Sequence, residues 1–234
     1  MKYIPSIAFE EMSGSAKGVT AAKTRGRKYI RNKGTGSNVR TVAQATVKSV
    51  FRQLSQSWKN LTNEQILAWT SLAQSQAGRS VLGTSSKITG SNLYMRLNYW
   101  IVFCGGVALT DPPSLRGVEA PSSAAISLTE DTFTFTLDSE PTQNLADLKL
   151  IIMASAPQSN GISSAYSKAV GIGDPKEAVS EEYDLKVDYD ARHGAPNEAA
   201  PKVFMKWFFV DTTTGEVSGE QMAVAKLTAA EPIP

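Results

Sequence analysis

Between Met12 and Asn63 the chain carries eleven basic residues and no acidic one. A stretch of that length cannot neutralise itself, so its charge must be met by solvent, by a distant part of the chain or by a partner. Its first part, SGSAKGVTAAKTRGRKYIRNKGTGSNVR, is small and basic, and Gly18, Gly26, Gly34 and Gly36 interrupt it. Each glycine penalises a helix, and Val19, Tyr29, Ile30 and Val39 are too few to make a core. The reading is an extended arm over residues 1–40, with a hairpin through Lys28–Arg31, that becomes ordered against a partner. Its candidate contact residues are Lys17, Lys23, Arg25, Arg27, Lys28, Arg31, Lys33 and Arg40.

The full chain of 234 residues has a net charge of only +2, which conceals a split. Met1 to Trp100 holds 15 Lys and Arg against 3 Asp and Glu, a net of +12. Ile101 to Pro234 holds 9 against 19, a net of −10. Two regions with different employment are expected, one of them facing something acidic. At 41% hydrophobic the chain is too apolar for wholesale disorder. No run approaches the roughly 18 to 20 apolar residues of a membrane span. The opening MKYIPSIAFEEM has no secretion-signal core, because Glu10 and Glu11 interrupt it.

At Thr41 the pattern turns helical. Thr41-x-x-Gln44 reads as a capping box, and Val47, Val50, Phe51, Leu54, Trp58 and Leu61 recur at spacings of three and four. A second box, Thr62-x-x-Gln65, opens a helix with Ile66, Trp69, Leu72 and Ala73, and Gly78 is its stop. The two form a helical hairpin with Trp58 and Trp69 at its seam. A third helix runs from about Ser91 to Cys104, with Leu93, Leu97, Trp100 and Ile101 in a stripe, and Gly105-Gly106 ends it. The segment around Pro112-Pro113 reads as a linker.

Beyond it the period becomes two. Strands are expected at 132–137, 148–154, 183–189, 203–210 and 217–227, with weaker ones near 125–128 and 166–171. The Asp211–Glu216 stretch has hairpin-loop chemistry. Strand 203–210 is apolar on both faces, which marks a central strand or one whose outer face meets another subunit. The fold class is α+β. A basic arm (1–40) and a three-helix module (41–110) precede a linker (111–121) and an immunoglobulin-like or fibronectin III-like antiparallel sandwich (122–234).

Little here suits catalysis. A lone Cys104 excludes an intrachain disulfide and a cysteine-based zinc site, and a lone His193 excludes a multi-histidine site. Cys104 ends an apolar helix and reads as a buried thiol. His193 sits in a turn-like Asp190-Ala-Arg-His-Gly194. Asp184, Asp188 and Asp190 would share one strand face, where a solvated surface is preferred to a cation site. Gly34-Thr-Gly36 and Gly171-Ile-Gly173 lack the sequence that phosphate-binding loops require. Phe51, Trp58, Trp69 and Trp100 lie on apolar stripes as core or interaction residues. No catalytic residue, cofactor, metal or membrane association is expected. For the arm three readings stand open: lacing over a neighbouring protein, contact with a nucleic-acid backbone, and a solvated tail.

One pattern is more specific. Gly26-Arg-Lys-Tyr-Ile-Arg31, Arg40-Thr41-x-x-Gln44, Phe51-x-x-Leu-Ser55-x-x-Trp58-Lys-x-Leu61-Thr62-x-x-Gln65 and Trp69-x-x-x-Ala73 come in order. This resembles virion or prophage-encoded proteins of tailed bacteriophages, particularly phages of Bacteroidetes and related gut bacteria. The resemblance covers about residues 12–77 and implies a structural virion component, assembled in the bacterial cytoplasm. The resemblance leaves the neck, the tail and the capsid open as locations. Contact between a +12 half and a −10 half is heterologous, and such contacts close into rings or run into filaments. A homo-oligomeric ring at the head-to-tail neck is therefore the first choice, with other virion proteins as partners. DNA contact and capsid decoration are alternatives, and glycan binding by the sandwich loops is a further one.

Overall fold

The computed structural model describes residues 12–24, 27–33, 41–78 and 86–228. The chain is mixed α+β, with four α-helices among the described residues and only antiparallel strand pairing in its sheets. It divides into two compact units, Met1–Tyr94 and Met95–Pro234.

The first described elements of this unit form a three-stranded sheet: β1 (Gly14–Ala16), β2 (Val19–Thr24) and β3 (Arg27–Asn32), in that order. Lys28–Arg31, through which a hairpin is expected, are extended in β3 and pair antiparallel with β2. A further tight turn lies at Lys17-Gly18, between the paired Ala16 and Val19 of β1 and β2. Lys17 takes φ 45°, the left-handed region that a non-glycine residue enters at a cost. Strands win here because Val19, Thr20, Tyr29 and Ile30 are β-branched or aromatic. None of the described side chains of β1–β3 is buried.

Helix α1 (Val42–Lys59) starts where Thr41 Oγ1 accepts the Gln44 amide at 3.3 Å. Helix α2 (Asn63–Ser75) has a complete capping box. Thr62 Oγ1 accepts the Gln65 amide at 3.3 Å, and Gln65 Oε1 accepts the Thr62 amide at 3.0 Å. The short pair β4 (Ala77–Gly78) and β5 (Ser86–Lys87) follows, then helix α3 (Gly90–Phe103). Leu54, Trp69, Ala73, Leu93 and Tyr94 are buried. Tyr94 is the hub: Trp58 and Trp69 each place a ring 5.3 Å from it, Trp69 edge-on. Gly90 is required because a Cβ there would press on the Thr70 backbone of α2.

Helix α3 ends in a Schellman motif. Gly106 donates to Ile101 O at 2.8 Å and Gly105 to Val102 O at 3.0 Å, with Gly105 at φ 85°. The second unit then builds two sheets. One has the order β11 (Glu182–Asp184), β7 (Phe133–Leu137), β6 (Ala124–Leu128). The other runs β10 (Lys176–Glu177), β8 (Leu148–Ala154), β12 (Lys202–Asp211), β13 (Gln221–Lys226), with β9 (Val170–Gly171) also pairing β8. Alternate residues of both sheets share one core. Phe133, Phe135 and Leu137 meet Leu148, Leu150, Ile152, Val203, Met205, Trp207 and Phe209.

Strand β12 is central, which is why both of its faces are apolar. Its outward Phe208 and Val210 cluster with Ile151, and Trp100, Cys104, Met153 and Val217 pack over them. The Trp100 and Phe208 rings meet edge-on at 5.3 Å.

The strand expected at 183–189 is corrected. Only β11 is extended there, and helix α4 (Lys186–His193) takes the rest. Leu185 and Tyr189, four residues apart, are both fully buried, whereas Val187 between them is 76% exposed. That is helical spacing. Gly194 at φ 77° ends the helix. Asp184, Asp188 and Asp190 therefore share no strand face.

Candidate interaction surface

The basic residues singled out in the sequence fall mostly on the first sheet. Lys17 occupies the exposed turn, Lys23 is exposed in β2, and its partner across the ladder is the half-buried Lys28 of β3. Arg27 pairs with Thr24 in the ladder. Arg31 and Lys33 are exposed, and the Lys33 amide donates to Gly18 O at 2.7 Å, closing the sheet's open end. Arg25 and Arg40 lie outside the described residues.

Helix α1 adds a second basic surface. Its residues Gln44 to Ser49 are all exposed, and Leu54 is the first described side chain that is buried. At 100° per residue Lys48, Arg52 and Lys59 share one face, while Val47, Val50, Phe51, Leu54 and Trp58 share the other. Ala45, Lys48, Ser49 and Arg52 line a groove of about 370 Å³. Phe51 is 42% exposed and Val47 41%. Of the tryptophans, Trp69 is fully buried and Trp58 and Trp100 are half-buried, each against aromatic neighbours. Trp207 is buried in the core that the two sheets of the second unit share, with its indole N–H donating to Ser122 O at 3.0 Å.

The second unit carries a polar cluster that only the three-dimensional structure brings together. Asp211, at the end of β12, is 4% exposed. Its Oδ1 accepts from the Thr213 amide at 2.7 Å, the Thr213 hydroxyl at 2.6 Å and the Thr214 amide at 3.1 Å. Its Oδ2 lies 3.2 Å from Arg116 Nη2, which also donates to Thr213 Oγ1 at 2.8 Å. Burial raises the Asp211 pKa, but the Thr213 and Thr214 hydrogen bonds and the Arg116 charge outweigh it and hold the carboxyl below its ordinary range. Glu216 accepts the Arg116 amide at 2.9 Å and the Gly117 amide at 3.2 Å, and Gln143 donates to Gly117 O at 3.1 Å. The irregular segment around Arg116 is thus fastened to the β12–β13 turn. A cleft of about 120 Å³ lies beside it, lined by Arg116, Gln143, Asn144, Asp147, Leu148 and Asp211.

Burial pushes the Cys104 thiol up to about 11, away from a reactive thiolate. Burial, aided by the neighbouring Arg192, lowers the His193 pKa and favours the neutral ring. The remaining acidic residues of the α4 region are exposed or engaged locally. Asp184 Oδ1 accepts the Lys186 amide at 2.8 Å, Lys186 pairs with Asp190 at 3.0 Å, and Asp188 lies 4.0 Å from Lys176. Among the described residues no group of three His, Cys, Asp or Glu side chains converges to hold a metal ion. No described helix is long and apolar enough to cross a membrane. No protein-family model matches the sequence, and no curated protein matches it either.

Two features of this surface escape sequence reasoning. Val187 is exposed beside Asp184 and Asp188, a position visible only once 186–193 is read as a helix; the four-residue spacing of Leu185 and Tyr189 is the signal. The Arg116–Asp211 contact has no local signature.

Proposed function

We propose that the chain is a non-enzymatic structural protein of a tailed-phage particle, a ring-forming component of the head-to-tail neck that assembles through its basic first unit. One observation carries this reading: charge is segregated by unit. Met1–Tyr94 holds 14 Lys and Arg against 3 Asp and Glu, and Met95–Pro234 holds 10 against 19. Contact between unlike units of neighbouring copies is heterologous, and such contacts close into rings or run into filaments. The coreless basic sheet β1–β3 supports the same reading. A small three-stranded sheet with no buried side chain among those described gains little from the hydrophobic effect and is stabilised further by a partner. In this role the sheet is the arm that laces onto neighbours, with other virion proteins as further partners.

The second unit is read as a fibronectin III-like module. Lettered along the chain, β6-β7-β11 has the A-B-E order of such a module and β10-β8-β12-β13 its C′-C-F-G order, with α4 inserted between the strands of the E–F connection. In this role the acidic second unit projects from the ring or packs around it.

Electron microscopy of the purified full chain tests the reading. Closed rings of uniform size are expected. Particles that remain single copies at all concentrations, with neck density lacking any label fused to the chain in intact virions, would overturn it. A second reading, contact with the genome, is favoured by Lys48 and Arg52 lining one groove. Gel-shift titration discriminates: retention of duplex DNA that falls steeply with salt supports DNA contact.

A further inference from the structure

We infer that β13 is a dimerisation edge: it adds antiparallel to β13 of a second copy of this chain and joins the two 5-stranded sheets into one. The contact goes beyond the charge-driven assembly above and uses a different surface.

The ladder fixes which backbone groups are available. In an antiparallel pair, alternate residues turn their N–H and C=O toward the partner strand, and the residues between turn theirs away. Leu227 donates to Pro201 O at 2.8 Å, and the register pairs Ala225 with Val203, Ala223 with Met205 and Gln221 with Trp207. The odd-numbered residues of β13 are therefore the ones bonded to β12. Met222, Val224 and Lys226 turn their backbone groups to the open edge of the sheet, where β13 is the last strand. Thr228 continues this series, and its amide donates to Leu128 O at 2.9 Å, on the side away from β12. The outward N–H and C=O of Met222 and Val224 have no protein partner among the described residues.

Edge strands are commonly guarded against pairing by proline, a bulge or a central charge, and β13 has none of these. Its sequence is QMAVAK, its residues pair with β12 without a break, and its charge lies at the end, on Lys226. Met222 is 50% exposed and Val224 39%, while Ala223 and Ala225 turn into the core.

The occupant follows from the symmetry of the strand. Outward groups meet only outward groups, so an antiparallel copy of β13 pairs even residues with even ones. With the two-fold axis at Ala223, Met222 of each copy lies opposite Val224 of the other, and their backbone groups satisfy each other. The apolar side chains of both copies then merge into one patch on the outer face. Lys226 falls across Glu220, which Lys206 already holds at 3.1 Å, so no like charges oppose each other. The same surface meets itself, so the contact closes on two copies. A single added strand makes it small and of the transient class.

Sedimentation of the full chain at about 500 mM salt separates this contact from the assembly above, because attraction between unlike units is screened there. Pairs are expected at chain concentrations of about 100 µM. Val224→Pro removes only an outward amide, a position where edge strands tolerate proline. It is expected to raise the concentration for half-association by about tenfold or more. Circular dichroism checks the fold, and if the fold is lost the cross-linking below decides alone. Met222→Cys copies mixed with Val224→Cys copies and oxidised should form a linked pair at least about fivefold more than either variant by itself, since opposed Cα atoms across such a pair lie about 5.5 Å apart. The parent, with its half-buried Cys104, sets the background. Single copies at about 100 µM, association untouched by a folded Val224→Pro, or a mixture that links no better than either variant alone overturns the pairing. Pairs at high salt with no larger multimer at low salt remove the assembly reading and leave this contact. A multimer at low salt that falls to single copies at high salt does the reverse.

Discussion

Arg116 fastens an irregular segment to a buried carboxylate: its Nη2 lies 3.2 Å from Asp211 Oδ2, while the other Asp211 oxygen is held by Thr213 and Thr214. The two partners are unequal. The Arg116 side chain is 56% exposed and that of Asp211 only 5%. Arg116→Ala is therefore expected to cost no more than about 1 kcal/mol, since its charge is well screened. Asp211→Ala leaves three donors near Thr213 without their acceptor and should cost about 1 to 3 kcal/mol. Chemical denaturation of the two variants checks the order, Asp211→Ala being the larger loss.

The same carboxylate makes stability depend on pH. Because its folded pKa lies below the ordinary value, the unfolded chain binds the proton more readily. The stabilisation is present above the unfolded pKa of about 4 and is lost as pH falls through the depressed folded value. Thermal melts of Asp211→Asn are expected to show a shallower fall below about pH 4 than the parent.

The cap of α2 is a compact test of its local origin. Thr62 and Gln65 satisfy each other's amides reciprocally. Thr62→Ala should destabilise by about 1 kcal/mol, and Thr62→Asp should retain most of the stability. Urea melts followed by helix signal read both.

Two positions are set by packing. Trp69 is fully buried and edge-on to Tyr94, so Trp69→Ala is expected to cost about 3 to 5 kcal/mol. Gly215 sits at φ 72°, and a Cβ there would run into the Leu97 backbone carbonyl. Gly215→Ala should therefore lower stability by more than the roughly 1 to 2 kcal/mol that the left-handed conformation alone costs. Calorimetry of the two variants gives both numbers.

Much of this architecture is legible in local sequence, and the exceptions have physical causes. The starts of α1 and α2 are encoded by Thr41 and Thr62, whose hydroxyls serve amides three residues ahead. Strands β7 and β8 follow from alternation that one buried face enforces. The 183–189 stretch misleads because Leu185, Val187 and Tyr189 fit a period of two as well as helical spacing, and only the burial of Leu185 and Tyr189 with exposure of Val187 separates them. The two apolar faces of β12 admit two explanations in sequence, and the covering of Phe208 by Trp100 decides for a central strand. The Arg116–Asp211–Glu216 cluster joins distant segments, so no local pattern announces it. On the candidate surface, the basic residues are evident from composition, whereas their pairing into a three-stranded sheet rests on ladder contacts that no local pattern announces.

The most direct measurement is the sedimentation of the full-length chain at about 50 mM and about 500 mM salt, where charge interactions reach over very different distances. Assembly through oppositely charged units predicts a multimer of defined size at the lower salt that dissociates progressively at the higher. A single-copy species at both salts, or a multimer indifferent to salt, would contradict it.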